Sequence, residues 1–281
     1  LAACGNAGEE TDSVDVDVAQ DASFPEGSRM AELADAGTIN VGVKYDQPGL
    51  GFNATGSDMP TGFDVDIAKI LVASLGIDPD DTSKVKYVET ISDNREPFLE
   101  SGKVDLVLAS YSITDERAKV VSFSEPYYVT NQTLVTFADS PFAKVTKMSE
   151  LKKARRGAAV GTTSLDFIQN VIKPDGGAQV FDDNTGAKTA LENKQIDGII
   201  VDLPTSGAIA YGELTNGAVV GQFVREGDEQ GDRLGMLFSK DNPLVECVNI
   251  ALSNLAQDGT LASIEDQWLK GTNGIPVITR D

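Results

Sequence analysis

Short apolar runs alternate along the chain with longer segments in which apolar residues return every three or four positions. Residues 38–43 and 104–109 have the length of buried strands, whereas residues 63–75 place Ile67 and Leu71 on one face of a helix. The pattern predicts strands at 38–43, 85–88, 104–109, 133–137, 158–161, 179–181, 198–201 and 233–239. It predicts helices at 28–36, 63–75, 94–101, 149–154, 164–172, 185–193, 243–257 and 260–269. Strands that alternate with helices indicate a parallel sheet.

The alternation occurs twice, and its second series begins at Gly157. A chain of 281 residues has the length at which a single core tends to divide, so two lobes are expected rather than one. Hydrophobic residues make up 41% of the chain, which is enough for packed cores. No internal sequence repeat relates the two series. The pattern therefore predicts an α/β fold in two lobes.

The most informative stretch is 106–127, which reads LVLASYSITDERAKVVSFSEPY. An apolar run at 104–108 ends in the small hydroxyl residues Ser110 and Ser112, and a helix is predicted to begin at Thr114, a residue suited to an N-cap. Ligands commonly bind where a strand turns into a helix at the carboxyl edge of a parallel sheet. We therefore expect a binding site at this turn.

Arg117 is the unusual residue of this stretch, because a cation is disfavoured in the first turn of a helix. Asp115 or Glu116 would explain it by forming an ion pair with it. Alternatively, Arg117 presents its two-pronged guanidinium to a carboxylate of a ligand. The residue pattern leaves both interpretations open.

The second series contains a similar turn at Gly161, Thr162, Thr163 and Ser164. Free N–H groups at the start of a helix bind anions, although plain N-capping explains Thr162 and Ser164 equally well. Asp202 ends another apolar run. A carboxylate there needs a partner, which is either the ammonium group of a ligand or, as is common before a proline-containing loop, nearby backbone.

Charge and composition narrow the functional classes. The formal charge of −21 and the pI near 4.3 leave no basic surface to neutralise phosphates, so nucleic acid is not an expected partner. The chain has no histidine, which removes Ser-His-Asp and Cys-His catalysis and histidine-ligated metals. Carboxylate or lysine chemistry stays open. No cofactor or metal is expected.

The two cysteines have different predicted roles. Cys247 falls on the apolar face of the predicted helix 243–257, which indicates a buried thiol. Cys4 follows Leu-Ala-Ala, which resembles the end of a bacterial lipoprotein signal and predicts lipidation at this residue. Residues 5–26 contain seven acidic and no basic residues, so we predict a flexible tether there, with an acidic strand on the alternating valines as the alternative.

Two motifs make the chain recognisable. These are GFDVDIA at 62–68 and ESGKVDLVLASYSITDERAKVVSFSEPYY at 100–128. Together they resemble the extracytoplasmic solute-binding proteins of polar amino-acid ABC transporters, over about residues 37–269. Within that family, VGVKYDQPGLG at 41–51 resembles the glutamate-binding lipoproteins of actinobacteria.

The resemblance implies a two-lobed, periplasmic-binding-protein-like fold of type II with a two-strand hinge. Lobe 1 would comprise residues 28–135 and 238–281, and lobe 2 residues 136–237. Residues 1–27 would hold the lipid-anchor cysteine and the tether. The hinge crossings are expected at 134–137 and 234–240.

The resemblance also implies site residues. Arg117 would bind the α-carboxylate of an amino acid together with the backbone N–H of Ser112, and Asp202 and Ser110 would bind its ammonium group. The second lobe would add Thr162 and Thr163. The positions that match those facing the side-chain carboxylate in acidic-amino-acid binders are Lys44, Ser92 and Arg95, where Lys44 stands in place of the arginine of other members. Further expected contacts are a polar one from Asn184 and stacking from Tyr45, Phe52 and Tyr111.

The predicted charges complement an acidic amino acid. Arg117, Arg95 and Lys44 set against Asp202 suit two carboxylates and one ammonium group, so glutamate or aspartate is expected, with glutamine or asparagine as neighbouring possibilities. The expected protein is a monomeric, membrane-anchored extracytoplasmic lipoprotein that serves an ABC transporter permease and is not an enzyme. The alternatives are an amino-acid sensing module for a membrane receptor and an enzyme on the same fold, of the periplasmic dehydratase type.

Overall fold

The fold is taken from a computed structural model that describes residues 16–20, 23–24, 26–55, 57–224, 231–269 and 274–280. The α-helices of these ranges are α1 Arg29–Ala36, α2 Phe63–Ser74, α3 Arg95–Glu100, α4 Thr163–Phe167, α5 Asn184–Glu192, α6 Leu203–Gly207, α7 Leu244–Gln257 and α8 Thr260–Trp268. None of the described helices is long and apolar enough to cross a membrane.

Most strands belong to two five-stranded sheets. The strands are β1 Ile39–Val43, β2 Asp46–Gln47, β3 Gly51–Phe52, β4 Val85–Glu89, β5 Leu106–Leu108, β6 Val121–Phe123, β7 Tyr128–Thr130, β8 Gln132–Phe137, β9 Arg156–Ala159, β10 Ala178–Phe181, β11 Gly198–Asp202, β12 Gly217–Phe223, β13 Asp232–Leu234 and β14 Leu237–Ser239. The sequence prediction of a two-lobed α/β fold is confirmed.

The first sheet has the strand order β4-β1-β5-β14-β6. Strand β1 pairs in parallel with β4 and β5, and β14 runs antiparallel to β5 and β6. Apolar side chains of β1 and α2 form one buried cluster with residues of α7 and α8. The last two helices therefore pack on the first lobe.

The second sheet has the order β10-β9-β11-β8-β12. Its central strands are buried on both faces, since one apolar cluster contains Ile200 and Ile168 and another contains Ile199 and Leu191. Strands β9, β10 and β11 are parallel, so their carboxyl ends meet at one edge. That edge faces the first lobe in the site described below.

The hinge is a two-stranded ladder in which β7 pairs with β13, Thr130 opposite Asp232. The predicted crossing at 134–137 was wrong, because these residues lie in β8, between β11 and β12. Their apolar side chains belong to the second-lobe core, and the predicted boundary at 135/136 would cut this strand. The other predicted crossing, 234–240, was correct in part. Leu234 lies in the hinge ladder, whereas β14 belongs to the first sheet.

The C-terminal segment 274–280 was predicted to lie on the first lobe, and it packs on the second instead. The Gln222 N–H donates to the Pro276 carbonyl at 2.7 Å, and the Ile278 N–H donates to the Gln222 carbonyl at 2.8 Å. Ile278 is 1% exposed and joins a second-lobe core cluster. Its burial explains the return of the chain to this lobe.

The predicted tether is partly attached to the first lobe. The Ala19 N–H donates to the Ala73 carbonyl at 3.0 Å, and Phe24 packs against the first-lobe core. Because Ala19 and Phe24 are attached to the first lobe, a flexible tether does not fit the described residues of this segment. These residues also form no strand, so the acidic strand does not fit them either. The segment is attached because the apolar ring of Phe24 packs against the core. The many acidic residues around Phe24 made this contact unexpected from the sequence. The predicted lipidation site, Cys4, lies outside the described residues.

Candidate ligand-binding site

A narrow cavity lies between the lobes at the carboxyl ends of the strands. The first lobe contributes Gln47, Ser92, Arg95, Ser110, Ser112 and Arg117, and the second contributes Ala159, Thr162, Thr163, Ser164, Asn184, Ile200, Val201 and Asp202. Nine of the thirteen residues expected from the sequence are in this lining. The four that are not are Lys44, Tyr45, Phe52 and Tyr111.

Arg117 begins a single 3-10 turn, Arg117–Lys119, instead of the predicted α-helix. The N-cap residue of this turn is Glu116 and not the predicted Thr114, although the Thr114 hydroxyl accepts from the Arg117 N–H at 3.2 Å. The turn is short because the chain re-enters the first sheet at β6. Arg117 Nη1 donates to the Ser112 carbonyl at 2.8 Å and Nη2 to the Gly161 carbonyl at 2.8 Å.

The guanidinium of Arg117 has no carboxylate within ion-pair distance among the described residues. Asp115 and Glu116 are exposed, and the interpretation that one of them pairs with Arg117 was wrong. Burial lowers the pKa of Arg117 from its usual value. Its charge is therefore directed at the cavity without an internal counter-ion.

Arg95 is the second cation of this kind. It is 2% exposed, and its N–H groups donate to the carbonyls of Ser92 at 2.8 Å, Ala109 at 3.0 Å and Gly161 at 2.9 Å. No carboxylate within the described ranges forms an ion pair with it. Burial and the neighbouring Arg117 charge lower its pKa to about 9. Two guanidinium groups from different elements thus converge on the Gly161 carbonyl of the second lobe.

Tyr111 supports both arginines instead of lining the cavity. The guanidinium carbons of Arg117 and Arg95 lie 3.8 and 4.2 Å from the centre of its ring, where cation–π attraction holds them. The Tyr111 hydroxyl donates to Glu96. The expectation that Tyr111 stacks on a ligand does not fit this packing.

The other two aromatic candidates also lie outside the lining. The Tyr45 hydroxyl donates to the Tyr87 carbonyl at 2.7 Å, and the ring packs against the first-lobe core. Phe52 belongs to the β2–β3 hairpin and bridges to Thr61. The Tyr45 side chain thus serves the structure of the first lobe, and Phe52 lies in a hairpin outside the cavity lining, so stacking on a ligand is not supported for either.

Lys44 is fully buried, and its charge is already paired. Its Nζ lies 3.1 Å from Asp46 Oδ1 and donates to the Ser92 hydroxyl at 3.1 Å. Burial lowers the pKa of Lys44, and Asp46 opposes that shift. Asp46 also links the lobes, since its Oδ2 accepts from the Asn184 N–H at 2.9 Å. Asn184 therefore has a backbone link to Asp46 in addition to the side chain near the cavity.

In the turn of the second lobe at 161–164, neighbouring hydroxyl groups have different roles. Thr162 is the N-cap of α4, because its hydroxyl accepts from the Leu165 N–H at 3.1 Å, so the capping interpretation was correct for this residue. The Thr163 hydroxyl lies 3.2 Å from the Ser112 hydroxyl of the first lobe. Thr163 thus spans the cleft, whereas Thr162 fixes the turn.

Asp202 lies at the end of β11 and is 7% exposed. Its side chain makes no cap hydrogen bond, so the backbone-capping alternative was wrong; it accepts from Gln132 Nε2 at 2.6 Å instead. Burial raises the pKa of Asp202 to about 7, and the nearby Asp232 charge adds to the shift. A buried carboxylate in the cavity wall suits a cationic group of a ligand.

Ser110 is held by residues that the sequence interpretation missed. Its N–H donates to Asp64 Oδ2 at 2.8 Å and its hydroxyl to Gln47 Oε1 at 2.7 Å. Asp64 also accepts from the Tyr127 hydroxyl at 2.9 Å, and burial raises its pKa to about 6. Ser110 has a φ of 45°, a strained left-handed conformation that these bonds stabilise.

The structure changes the charge balance that the sequence suggested. The Lys44 charge is cancelled by Asp46, and Asp232 adds a carboxylate behind Asp202. Arg95 and Arg117 are left as the site cations without an ion pair in the described part of the chain. The sequence analysis did not use Gln132, although a glutamine at the start of the buried strand β8 was a signal that could have pointed to this cluster.

Several known amino-acid-binding proteins are similar to this chain over most of its length. The glutamate-binding protein GluB of Corynebacterium glutamicum is 30% identical over 239 residues, which cover 83% of this chain and 79% of GluB. The glutamine-binding protein GlnH of the Bacillus subtilis ABC transporter is 30% identical over 276 residues, 96% of this chain and 92% of GlnH. The solved solute receptor for L-cysteine of Neisseria gonorrhoeae has a TM-score of 0.76 at 30% identity, covering 87% of this chain and 95% of the receptor.

A sequence model of one family matches residues 39–271, which include both sheets, the hinge ladder and the cavity between the lobes. This match spans most of the chain, and the alignments with the relatives named above also span most of their length. The chain therefore belongs to the bacterial extracellular solute-binding proteins, family 3.

Proposed function

We propose that this protein captures an acidic amino acid, glutamate or aspartate, between its lobes and delivers it to the permease of an ABC importer. The observation that carries the proposal is the pair Arg95 and Arg117. Both guanidinium groups line the cavity without an ion-pair partner among the described residues, and Asp202 lies in the opposite wall. Two cations and one carboxylate complement the two carboxylates and one ammonium group of the ligand.

Each end of the ligand has a partner of matching chemistry. Arg117 would bind the α-carboxylate with a two-pronged contact, together with the Ser112 N–H. Asp202 would bind the ammonium group. Arg95 and the Ser92 hydroxyl would bind the distal carboxylate, and Lys44 would act there through its hydrogen bond to Ser92.

Ligand binding would favour the closed arrangement of the lobes. Arg95 and Arg117 already donate across the cleft to Gly161, and Ser112 meets Thr163. A ligand held by Arg117 on one side and Asp202 on the other adds contacts that an open form lacks, which shifts the population towards closure.

The neutral amides are the competing ligands. GluB and GlnH, which the chain resembles at equal identity, are named for glutamate and glutamine binding. Glutamine at this site would leave one buried guanidinium without an anion, at a cost of about 1–3 kcal/mol. Such a cost corresponds to a preference for glutamate of about 5- to 150-fold.

The proposal includes the location of the protein. We propose that Cys4 carries a lipid that anchors the chain outside the cytoplasmic membrane. Mass spectrometry of the protein extracted from a bacterial membrane tests this point, because lipidation adds the mass of the acyl chains to an N-terminal cysteine peptide. A Cys4→Ala variant is expected to be released into the medium.

Calorimetry with a panel of all amino acids tests the binding proposal. The expected result is tight, stoichiometric binding of glutamate or aspartate, with the ligand recovered unchanged. Consumption of the ligand would indicate an enzyme, and binding of no amino acid would refute the proposal.

The same panel with Arg95→Ala tests the assignment of the distal carboxylate. This variant is expected to lose the preference for glutamate over glutamine. Arg155→Ala is a matched control, since it removes a guanidinium that pairs with Asp197 before the start of β9, away from the cavity. If Arg95→Ala keeps the preference, the assignment is wrong.

A further inference from the structure

A second carboxylate lies behind Asp202 in the cavity wall. Gln132 on β8 donates from one amide nitrogen, Nε2, to Asp202 Oδ1 at 2.6 Å and to Asp232 Oδ2 at 2.8 Å. Its Oε1 accepts from the Ser164 hydroxyl at 2.5 Å, which fixes the orientation of the amide. Asp232 is 7% exposed and lies on the hinge strand β13. The hinge therefore contributes a buried charge to the site.

The charged groups around this pair come from the first lobe and the hinge. Arg95 and Arg117 attract the Asp202 carboxylate, whereas Asp232 repels it, and burial disfavours its charged form most. The Asp232 charge also acts on Arg117. The Tyr127 hydroxyl, whose pKa burial raises well above its usual value, stays neutral. Two buried carboxylates that share one donor do not both ionise readily.

We propose that Asp202 and Asp232 act as a paired carboxylate that holds one exchangeable proton, and that this proton sets the preference of the site between an acidic amino acid and its neutral amide. Asp232 is a positioning residue, since it acts on the cavity through Gln132 and Asp202 and does not line it. The inference rests on the proposed function, because it concerns the ligand that this cavity would take.

The charges of the two ligands give the reason. When the pair holds one proton, its single negative charge and the two guanidinium charges leave an excess of one positive charge. Glutamate, with a net charge of −1, neutralises that excess, whereas glutamine leaves it buried. When the pair has lost the proton, the empty site is neutral, so it suits glutamine, and glutamate brings in an uncompensated negative charge. The charge of Lys44 is cancelled by that of Asp46. Asp64 is common to both states of the pair.

The preference must then depend on pH. Glutamine binding releases the proton of the pair to solvent, so it strengthens as the pH rises. Glutamate binding retains the proton, so it weakens once the pH exceeds the pKa of the pair. Burial and the Asp232 charge raise the pKa of Asp202 to about 7, so this proton is exchanged within an accessible pH range. The ratio of the glutamine Kd to the glutamate Kd therefore falls as the pH rises, by up to about tenfold per pH unit for one proton.

Calorimetry with glutamate and glutamine from about pH 5.5 to about pH 7.5 tests the inference, since the side chain of free glutamate stays ionised over this range. We expect the ratio to fall by at least about tenfold over these two units in the native protein. In Asp232→Asn it is expected to fall much less than in the native protein, because Asp202 alone is ionised beside the ammonium group of either ligand and the remaining change comes from Asp64. Asp64 titrates equally in both proteins, so the difference between them isolates Asp232.

Asp232→Glu separates charge from structure. It keeps the second carboxylate, so its ratio is expected to fall with pH as in the native protein, even if the longer side chain weakens both affinities. A ratio that is constant in the native protein, or that falls as steeply in Asp232→Asn as in the native protein, overturns the inference. Binding of no amino acid by the native protein would instead refute the proposed function, so the two failures are distinguishable.

Discussion

Gly161 offers the sharpest test of closure, because its carbonyl and its missing side chain both face the first lobe. The carbonyl accepts from Arg95 and Arg117. A Cβ built at this position would lie 3.1 Å from the Ser92 carbonyl oxygen and 3.2 Å from the Asp93 Cα. These are backbone atoms of the opposite lobe, so they do not move aside as a flexible side chain would. We predict that Gly161→Ala impairs closure.

Two separate penalties enter the expected magnitude. Gly161 has a φ of +73°, where a residue with a Cβ costs about 1–2 kcal/mol. This penalty applies to the open and the closed forms alike, so it lowers stability and leaves affinity unchanged. The close contacts with Ser92 and Asp93 exist in the closed form, and overpacking of this kind costs about 1–3 kcal/mol. The second penalty therefore weakens ligand binding by about 5- to 150-fold.

Gly177→Ala is the matched control. Gly177 also has a φ of +73° and belongs to the second lobe, but a Cβ there would meet nothing within 4 Å. Both variants are expected to lose similar stability in urea unfolding. Calorimetry should show weaker binding for Gly161→Ala alone, and X-ray scattering should show that it compacts less when the amino acid is added. Equal affinities of the two variants would contradict the interlobe contact as the cause.

Three further substitutions test individual side chains. Asp202→Asn is expected to weaken binding in calorimetry by about 2–5 kcal/mol, because the ammonium group loses its buried anion. Ile278→Ala should lower the free energy of unfolding by about 2–5 kcal/mol in urea titrations, since Ile278 is part of the second-lobe core. Arg156→Leu should raise that free energy by about 1–3 kcal/mol, because all three guanidinium nitrogens of Arg156 are buried without a hydrogen-bond partner in the described structure. An unchanged Kd in the first variant, or an unchanged unfolding midpoint in the other two, would contradict the corresponding assignment.

The alternation of strands and helices was readable from the sequence because burial imposes a period on apolar residues. The period of the apolar residues does not show where the chain crosses from one lobe to the other. Residues 133–137 have the length and pattern of an ordinary buried strand, and their partners in β11 and β12 lie more than sixty positions away along the chain. The hinge ladder, with only three residues in each strand, has too short a pattern to be recognised.

The site was predictable where a residue acts alone and unpredictable where it acts through a neighbour. Arg117 and Asp202 stood out because each is costly without a partner. The link from Asp232 to Asp202 depends on the amide of Gln132, which is a hundred residues away from Asp232 in the chain. The pairing of Lys44 with Asp46 could have been predicted from the sequence, because residues two apart in an extended segment share a face.

The C-terminal segment on the second lobe gives the molecule a practical property. Ala19 is bonded to α2 of the first lobe, and Ile278 is buried in the second. Ala19 and Ile278 therefore lie on opposite sides of the cleft. Fluorophores attached beside these two positions would change their separation when the lobes come together, so the unaltered interior would serve as the recognition element of an optical sensor.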